Sequence, residues 1–213
     1  MDSKNIIARR AAAYFKPGDA VNLGVGIPGL CANYAPEDIL FETENGFLGV
    51  GPEASGLQKT PSFANAAGTE FVPVVGGAPI DSAMSFGMIR GGRLAATVLG
   101  ALQVSEKGDL ANWAVPGRLF GMGGAMDLVN GVKRVIVAME LCAKDGSPKI
   151  LKECTFPLTG IRCVNHIVTE LCVIDVTPDG LELVEIAPGH TPEEIQSKVE
   201  PTLIISKQLK KMY

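Results

Sequence analysis

Phe41-Glu42-Thr43-Glu44-Asn45-Gly46-Phe47-Leu48-Gly49-Val50-Gly51 is the stretch whose reading decides the rest. Two glutamates spaced by one residue leave the apolar run Ile39-Leu40-Phe41 and enter an Asn-Gly turn. Both turn residues tolerate positive φ, which makes the dipeptide a strong signal for chain reversal. Gly46, Gly49 and Gly51 follow within six residues. A carboxylate fixed at the end of a buried strand, just before such glycines, stands where backbone can approach a ligand closely. The plainer reading of the window alone is a surface hairpin with two solvated glutamates, so the decision falls to the flanking chain.

Working outward, Ser3 to Phe15 predicts a helix with Ile7, Ala11, Tyr14 and Phe15 on one face, capped by Asp2 or Ser3 and ended by Lys16-Pro17-Gly18-Asp19. Ala20-Val21-Asn22-Leu23 predicts a strand running into a glycine-rich loop, with a helical turn or two over Leu30 to Tyr34. On the other side, residues 51–68 predict a mobile insertion over the site, and Phe71 to Val75 a strand ending at a Gly76-Gly77 turn. A short helix capped by Asp81 or Ser82 runs through Arg90, and Leu94 to Leu99 is a strand buried on both faces. Gln103 to Leu110 reads as a hairpin turning at Lys107-Gly108, Trp113 as a packing anchor, and Arg134 to Met139 as another buried strand. Leu171–Val176 and Leu181–Ile186 pair as a hairpin, and the capping box Thr191-Pro192-Glu193-Glu194 opens a last helix to Val199. With no repeat or linker, residues 1–213 form one expected α/β unit: an open, mainly parallel sheet flanked by helices, closed by a C-terminal hairpin and helix.

The 213 residues are 46% hydrophobic and 20% charged with a net charge of −4, enough apolar chain for a substantial core. The mildly acidic balance gives no reason to expect a nucleic-acid partner. No run of about 18 apolar residues appears, so no membrane association is expected. The first residues carry no secretion-signal pattern. The five scattered cysteines (Cys31, Cys142, Cys154, Cys163, Cys172) read as reduced thiols of a cytoplasmic protein. The two histidines offer little for a triad or metal centre; His166 reads as a packed residue and His190 as an exposed one.

Two glycine clusters carry the chemistry-bearing signals. Gly24-x-Gly26-x-x-Gly29 lies between a strand and a helical turn, with Glu42 or Glu44 about 20 residues on, the spacing of a dinucleotide-binding fingerprint. Gly121-Met122-Gly123-Gly124-Ala125-Met126-Asp127-Leu128 places glycines before a helical run, where backbone N–H groups can meet an anion; close packing of loop on sheet explains the same glycines. From these alone a dinucleotide-dependent oxidoreductase using the first cluster and a non-catalytic binding module both stay open.

Taken jointly, Val21-Asn22-Leu23-Gly24-Val25-Gly26-Ile27-Pro28, Glu44-Asn45-Gly46 and Gly121 to Leu128 resemble the β subunit of family I CoA-transferases, the 3-oxoacid, acetoacetate, acetate and butyrate enzymes. The likeness continues through Leu99-Gly100-Ala101-Leu102-Gln103-Val104, Gly108 to Trp113 and Lys152 to Gly160, and so covers essentially the whole chain. Thr43 stands where the family usually has serine, and Arg93-Leu94-Ala95 replaces a His-apolar-Asp pattern common in relatives.

The resemblance implies that Glu44 is the nucleophile of a ping-pong transfer of CoA between an acyl-CoA and a free carboxylic acid, through a glutamyl-CoA thioester. It implies oxyanion donors near Gly123, Gly124 and Ala125, and a substrate and CoA channel near Gly24, Gly26, Asn45, Gly46 and Gly49. It further implies no metal and no tightly bound cofactor, coenzyme A being substrate and covalent intermediate. The partner it implies is a separate α subunit in an α2β2 assembly, with acetoacetate-, acetate- or butyrate-type acids as substrates. Glu42, on the same face as Glu44 by period-2 alternation, reads as a structural carboxylate able to bias Glu44's protonation.

Overall fold

The computed structural model describes residues 2–212. Helix α1 (Ser3–Ala12) starts where the Asp2 carboxylate accepts from the Asn5 N–H at 2.9 Å, and it buries Ile7, Ala8, Ala11 and Ala12. It stops before Phe15 because its last turn tightens into i→i+3 bonds from Tyr14 to Ala11 and from Phe15 to Ala12. Strand β1 (Ala20–Leu23), a 3-10 helix at Pro28–Asn33 and strand β2 (Leu40–Thr43) follow. Then come β3 (Phe47–Glu53), β4 (Phe71–Pro79), α2 (Ser82–Arg90) and β5 (Ala96–Leu99). Short strands β6 (Gln103–Ser105), β7 (Leu110–Ala111), β8 (Ala114–Val115) and β9 (Arg118–Leu119) lead into α3 (Ala125–Gly131). The remainder is β10 (Val135–Ala138), β11 (Ile150–Leu151), β12 (His166–Val168), β13 (Cys172–Thr177), β14 (Gly180–Ile186), α4 (Pro192–Gln196) and β15 (Ile204–Lys211).

Ten strands form one sheet in the order β15-β14-β13-β12-β10-β5-β1-β2-β3-β4. The middle of it, β12-β10-β5-β1-β2, is parallel throughout. Antiparallel β13 and β14 extend one side, with β15 parallel to β14 at the edge, and antiparallel β3 and β4 extend the other. Helices on both faces are why the central strands are continuous apolar runs: Val135 and Val137 of β10 pack toward α2 and α3, and Ile136 and Ala138 toward α1.

Four sequence expectations change. Strand β3 continues to Glu53, so the excursion beyond residue 51 begins as sheet, and the segment after it returns through the Ala64–Glu70 bridge to β4. Gly76 and Gly77 are not a turn: they lie inside β4, where the register jumps between the pairs Leu48–Ala78 and Val50–Pro73 and Gly76 takes φ 85°. The last helix ends at Gln196, whose side chain accepts from the Leu203 N–H and donates to the Pro201 carbonyl, so no further turn forms. Strands β12 and β15 have no counterpart in the expectations from sequence.

Candidate active site

Parallel strands deliver their following loops to one end of the sheet, where open α/β sheets bind ligands. Chain direction reverses there, since β2 lies on one side of β1 and β5 on the other. After β1, Gly24 lets the backbone close on β5: its N–H donates to the Val98 carbonyl at 2.9 Å, and a Cβ would sit 3.1 Å from that oxygen and 3.2 Å from Leu99 Cδ2. After β2, Glu44-Asn45-Gly46 connects to β3, the Gly46 N–H donating to the Thr43 carbonyl at 2.9 Å with φ 120°. The Asn-Gly reversal is thus a hairpin turn, but its two glutamates are not solvated.

Glu42 is only 2% exposed. Its neighbours come from strand register: Asn22 of β1 pairs with Glu42 on one side and with Thr97 of β5 on the other, all three on the α2 side of the sheet. The Thr97 hydroxyl donates to Asn22 Oδ1 at 3.1 Å, and Asn22 Nδ2 donates to Glu42 Oε2 at 2.9 Å. From α2, the Ser85 hydroxyl donates to Glu42 Oε1 at 2.6 Å. Burial pushes the Glu42 carboxyl above its usual range, an effect the Ser85 and Asn22 hydrogen bonds oppose and the nearby Glu44 charge reinforces.

Glu44 is half-buried on the same face, two residues along, and Asn22 Nδ2 reaches its Oε2 at 3.3 Å. Its methylene chain rests on the turn before α3: a Cβ at Gly124 would lie 2.9 Å from Glu44 Cγ and 3.2 Å from the Phe86 ring. The two informative glycine stretches are therefore brought together, one holding the carboxylate and one walling it. Among the described residues the Gly123 and Gly124 amides meet no protein acceptor, whereas the Ala125 N–H is taken by the Met122 carbonyl at 3.0 Å. Ala125 is thereby corrected as a donor, leaving Gly123 and Gly124.

A cleft of about 370 Å³ opens beside Glu44, lined among others by Gly24, Leu30, Val50, Ala66 and Phe71. Gly24 and Gly26 line it as expected; Asn45, Gly46 and Gly49 do not. Asn45 instead ties the turn to the β3–β4 segment, accepting from the Thr43 hydroxyl and donating to the Ala64 carbonyl, both at 2.8 Å. At Gly46 a Cβ would collide with the Ile80 carbonyl oxygen, and at Gly49 it would come within 2.7 Å of Gly77 Cα. Both glycines are required by the close approach of β3 to β4 and its following residue.

The rest of the sequence candidates lie elsewhere. Trp113 donates to the Leu158 carbonyl at 3.2 Å, an anchor as expected. His166 stacks on Tyr14 at 4.3 Å and faces Asp175 at 2.7 Å, while His190 pairs with Glu194 at 3.1 Å. Arg93-Leu94-Ala95 sits at the amino-terminal end of β5, away from the edge that carries Glu44, so its departure from the common pattern does not touch the site. Asn22, Ser85 and Thr97 were missed as site residues; the available signal was a polar side chain inside each of two short apolar strands, at positions 22 and 97. The dinucleotide fingerprint fails on geometry: Gly29 belongs to a six-residue 3-10 helix, not the start of an α-helix whose N–H groups would hold a pyrophosphate.

The family profile described as "Coenzyme A transferase" matches residues 4–198. The beta subunit of acetate CoA-transferase from Escherichia coli K12 is 49% identical over 212 residues, covering 98% of this chain and 97% of that one. A probable succinyl-CoA:3-ketoacid coenzyme A transferase polypeptide of Bacillus subtilis, the second of its two subunits by letter, is 41% identical over 211 residues, covering 98% of each chain. The solved acyl-CoA transferase YdiF apoenzyme from Escherichia coli O157:H7 superposes with a TM-score of 0.81 at 24% identity. This chain is covered completely in that superposition and spans 43% of the YdiF chain.

Proposed function

The chain belongs to the coenzyme A transferase family, and from that premise we propose that it is the β subunit of a short-chain acyl or 3-oxoacid CoA-transferase in which Glu44 is the nucleophile. The observation that carries this reading is the placement of Glu44: a half-buried carboxylate at the carboxyl end of β2, held on one side by the Asn22 amide and walled on the other by the Gly123–Gly124 turn.

A hydrated carboxylate attacks thioesters poorly, so orientation and partial loss of water are what this site adds. One Glu44 oxygen attacks the acyl-CoA carbonyl; the tetrahedral oxyanion collapses with cleavage of the C–S bond, giving an acyl-glutamyl anhydride and CoA thiolate. The thiolate attacks Cδ of Glu44, the anhydride C–O bond breaks, and the first acid leaves as its carboxylate. The glutamyl-CoA thioester then meets the second acid, and the steps run backwards. The Gly123 and Gly124 amides are the oxyanion donors in this scheme, and loss of one such donor costs about 10²–10³ in rate.

The partner is an α subunit, in an α2β2 assembly. The cleft lining includes Glu42, Glu44 and Glu53 but, among the described residues, no lysine, arginine or histidine. An anionic acid and the phosphates of CoA therefore need countercharge from elsewhere. Val25 at 67% exposed and Leu119 at 74%, on the loops flanking Glu44, give an apolar rim for that partner. The apolar cleft wall of Leu23, Leu30, Val50 and Phe71 suits acetate-, butyrate- or acetoacetate-type acyl groups. Residues 1–213 act as one unit. A cytoplasmic setting is supported by free thiols at Cys31, Cys142, Cys154, Cys163 and Cys172; none of the described helices is long and apolar enough to cross a membrane.

The test is intact mass of the αβ complex after addition of acyl-CoA. A CoA-sized adduct mapping to Glu44, absent in Glu44→Ala, is expected. An adduct elsewhere, or full turnover by Glu44→Ala, refutes the assignment.

A further inference from the structure

Glu42 has no place in the transfer scheme, yet it is the most buried carboxylate beside the site and shares a single donor with Glu44. We infer that Glu42 is a positioning residue: acting through the Asn22 amide, it sets the direction of the Glu44 carboxylate and keeps that carboxylate short of hydrogen bonds. The inference rests on Glu44 being the nucleophile.

The argument is one of donors and acceptors. The Asn22 amide nitrogen carries two hydrogens and each carboxylate has about four lone-pair sites. Thr97 donates to Asn22 Oδ1 at 3.1 Å, which fixes the amide with its NH2 toward the two glutamates; the flipped amide would turn its oxygen on both. Glu42 then takes the better share: Asn22 at 2.9 Å on Oε2 and Ser85 at 2.6 Å on Oε1. Glu44 receives the second hydrogen at 3.3 Å, in competition with the Glu42 backbone carbonyl at 3.4 Å, and no other protein donor among the described residues. Two carboxylates thus share one amide, with the nucleophile the less satisfied of the two.

Acylation removes that conflict. When a Glu44 oxygen bonds to the acyl carbon, Glu44 loses its charge, its repulsion with Glu42 ends, and the Asn22 amide can serve Glu42 alone. The crowding is present in the resting enzyme and absent from the covalent intermediates, so it lowers the barrier to forming them without strengthening substrate binding. A merely structural Glu42 would be equally content with Ser85 and Asn22 but would leave the rate on folded enzyme unaltered.

The experiment is single-turnover formation of the glutamyl-CoA adduct in the αβ complex. Glu42→Gln keeps an oxygen toward Asn22 and an NH2 toward Ser85, and removes the charge. Adduct formation slower by between about 10-fold and about 100-fold is expected, with KM for the acyl-CoA unchanged and the melting temperature not lowered. Ser85→Ala should give a smaller loss of the same kind, and the double variant should be no slower than Glu42→Gln alone. Wild-type rates in Glu42→Gln, or a loss matched by a lost folded fraction, overturn the inference. Should Glu42→Gln fail to fold, Ser85→Ala decides: an unchanged rate at unchanged melting temperature also overturns it. Glu44→Ala run alongside keeps the two failures apart, since an adduct there would refute the nucleophile assignment itself.

Discussion

Gly124→Ala is the sharpest probe of how Glu44 is held. The backbone at Gly124 has φ −84° and ψ 3°, which alanine adopts without strain, so the substitution acts through its methyl group. That methyl would lie 2.9 Å from Glu44 Cγ and 3.2 Å from Phe86 Cε1 and Cζ, where ordinary contact begins at 3.4 Å. The Phe86 ring is half-buried and can give a few tenths of an ångström. Cγ of Glu44 is mid-chain, so it can retreat only by carrying the carboxylate with it, by about half an ångström or more. A misplacement of about 1 Å costs about 100-fold, so a 10- to 100-fold slower adduct formation is expected. Replacing a glycine N-cap with alanine should cost no more than about 1 kcal/mol of stability. The assay is rapid-quench mass spectrometry of the αβ complex with acyl-CoA, with melting temperature and KM measured in parallel. Wild-type adduct formation at unchanged melting temperature would mean that Glu44 does not rest on the turn before α3, and the assignment of oxyanion donors there would fall with it.

Gly87→Ala in α2 serves as a contrasting glycine, because nothing lies within 4 Å of its added methyl. Relief of the helix-interior glycine penalty should stabilise the chain by about 0.5–1 kcal/mol, raising the melting temperature by about 1–4 °C; a decrease would place an unseen neighbour at that face. Arg10 clasps Glu185 through Nε at 2.5 Å and Nη2 at 2.7 Å, joining α1 to β14 with both side chains under 20% exposed. Arg10→Ala should therefore cost about 2–4 kcal/mol in urea unfolding, and a cost below about 0.5 kcal/mol would mean that solvent replaces the pair freely. Burial raises the Glu42 carboxyl above its ordinary 4.5, so the folded chain holds that proton more tightly than the unfolded one. Ionising Glu42 then costs stability as pH rises from 4.5 through the raised value. The stability of Glu42→Gln relative to wild type should be lowest below pH 4.5 and grow as pH rises, and the opposite slope in a pH series of unfolding curves would refute the assignment.

Those parts of the fold that announce themselves locally were legible. Strand β1, helix α2 with its Asp81 cap, the Lys107-Gly108 reversal and the Thr191 capping box each depend on residues within a few positions of one another. The misreadings are places where distant chain decides. Gly76-Gly77 reads as a turn by composition, but β3 supplies partners on both sides and turns it into a bulge. Strand β12 is three residues long and is made a strand by β10 and β13, and β15 carries three lysines in eight residues because it forms the edge of the sheet. Of the site, Glu44 and its glycines were legible as motif. Asn22, Ser85 and Thr97 were not, since their relation to Glu42 spans 20, 43 and 75 residues and exists only through strand register and helix packing.

That register also explains why a hydrophobic pattern can aim a reactive carboxylate. Side chains along a strand alternate between faces, so a one-residue slip of β2 against β1 would carry Glu42 and Glu44 to the α1 side. Phe41 prevents it: its ring meets Phe15 edge-on at 6.3 Å in the core beneath α1, a place that neither glutamate could occupy without burying an unpaired charge. With Phe41 committed to that face, Glu42 and Glu44 must point to the other, and the 42–22–97 row falls into line with Asn22 between them. The apolar residue before the glutamates is therefore as necessary to the site as the glycines after them. A polar replacement at Phe41 should loosen the register of β2, and with it the direction of Glu44, before it unfolds the sheet.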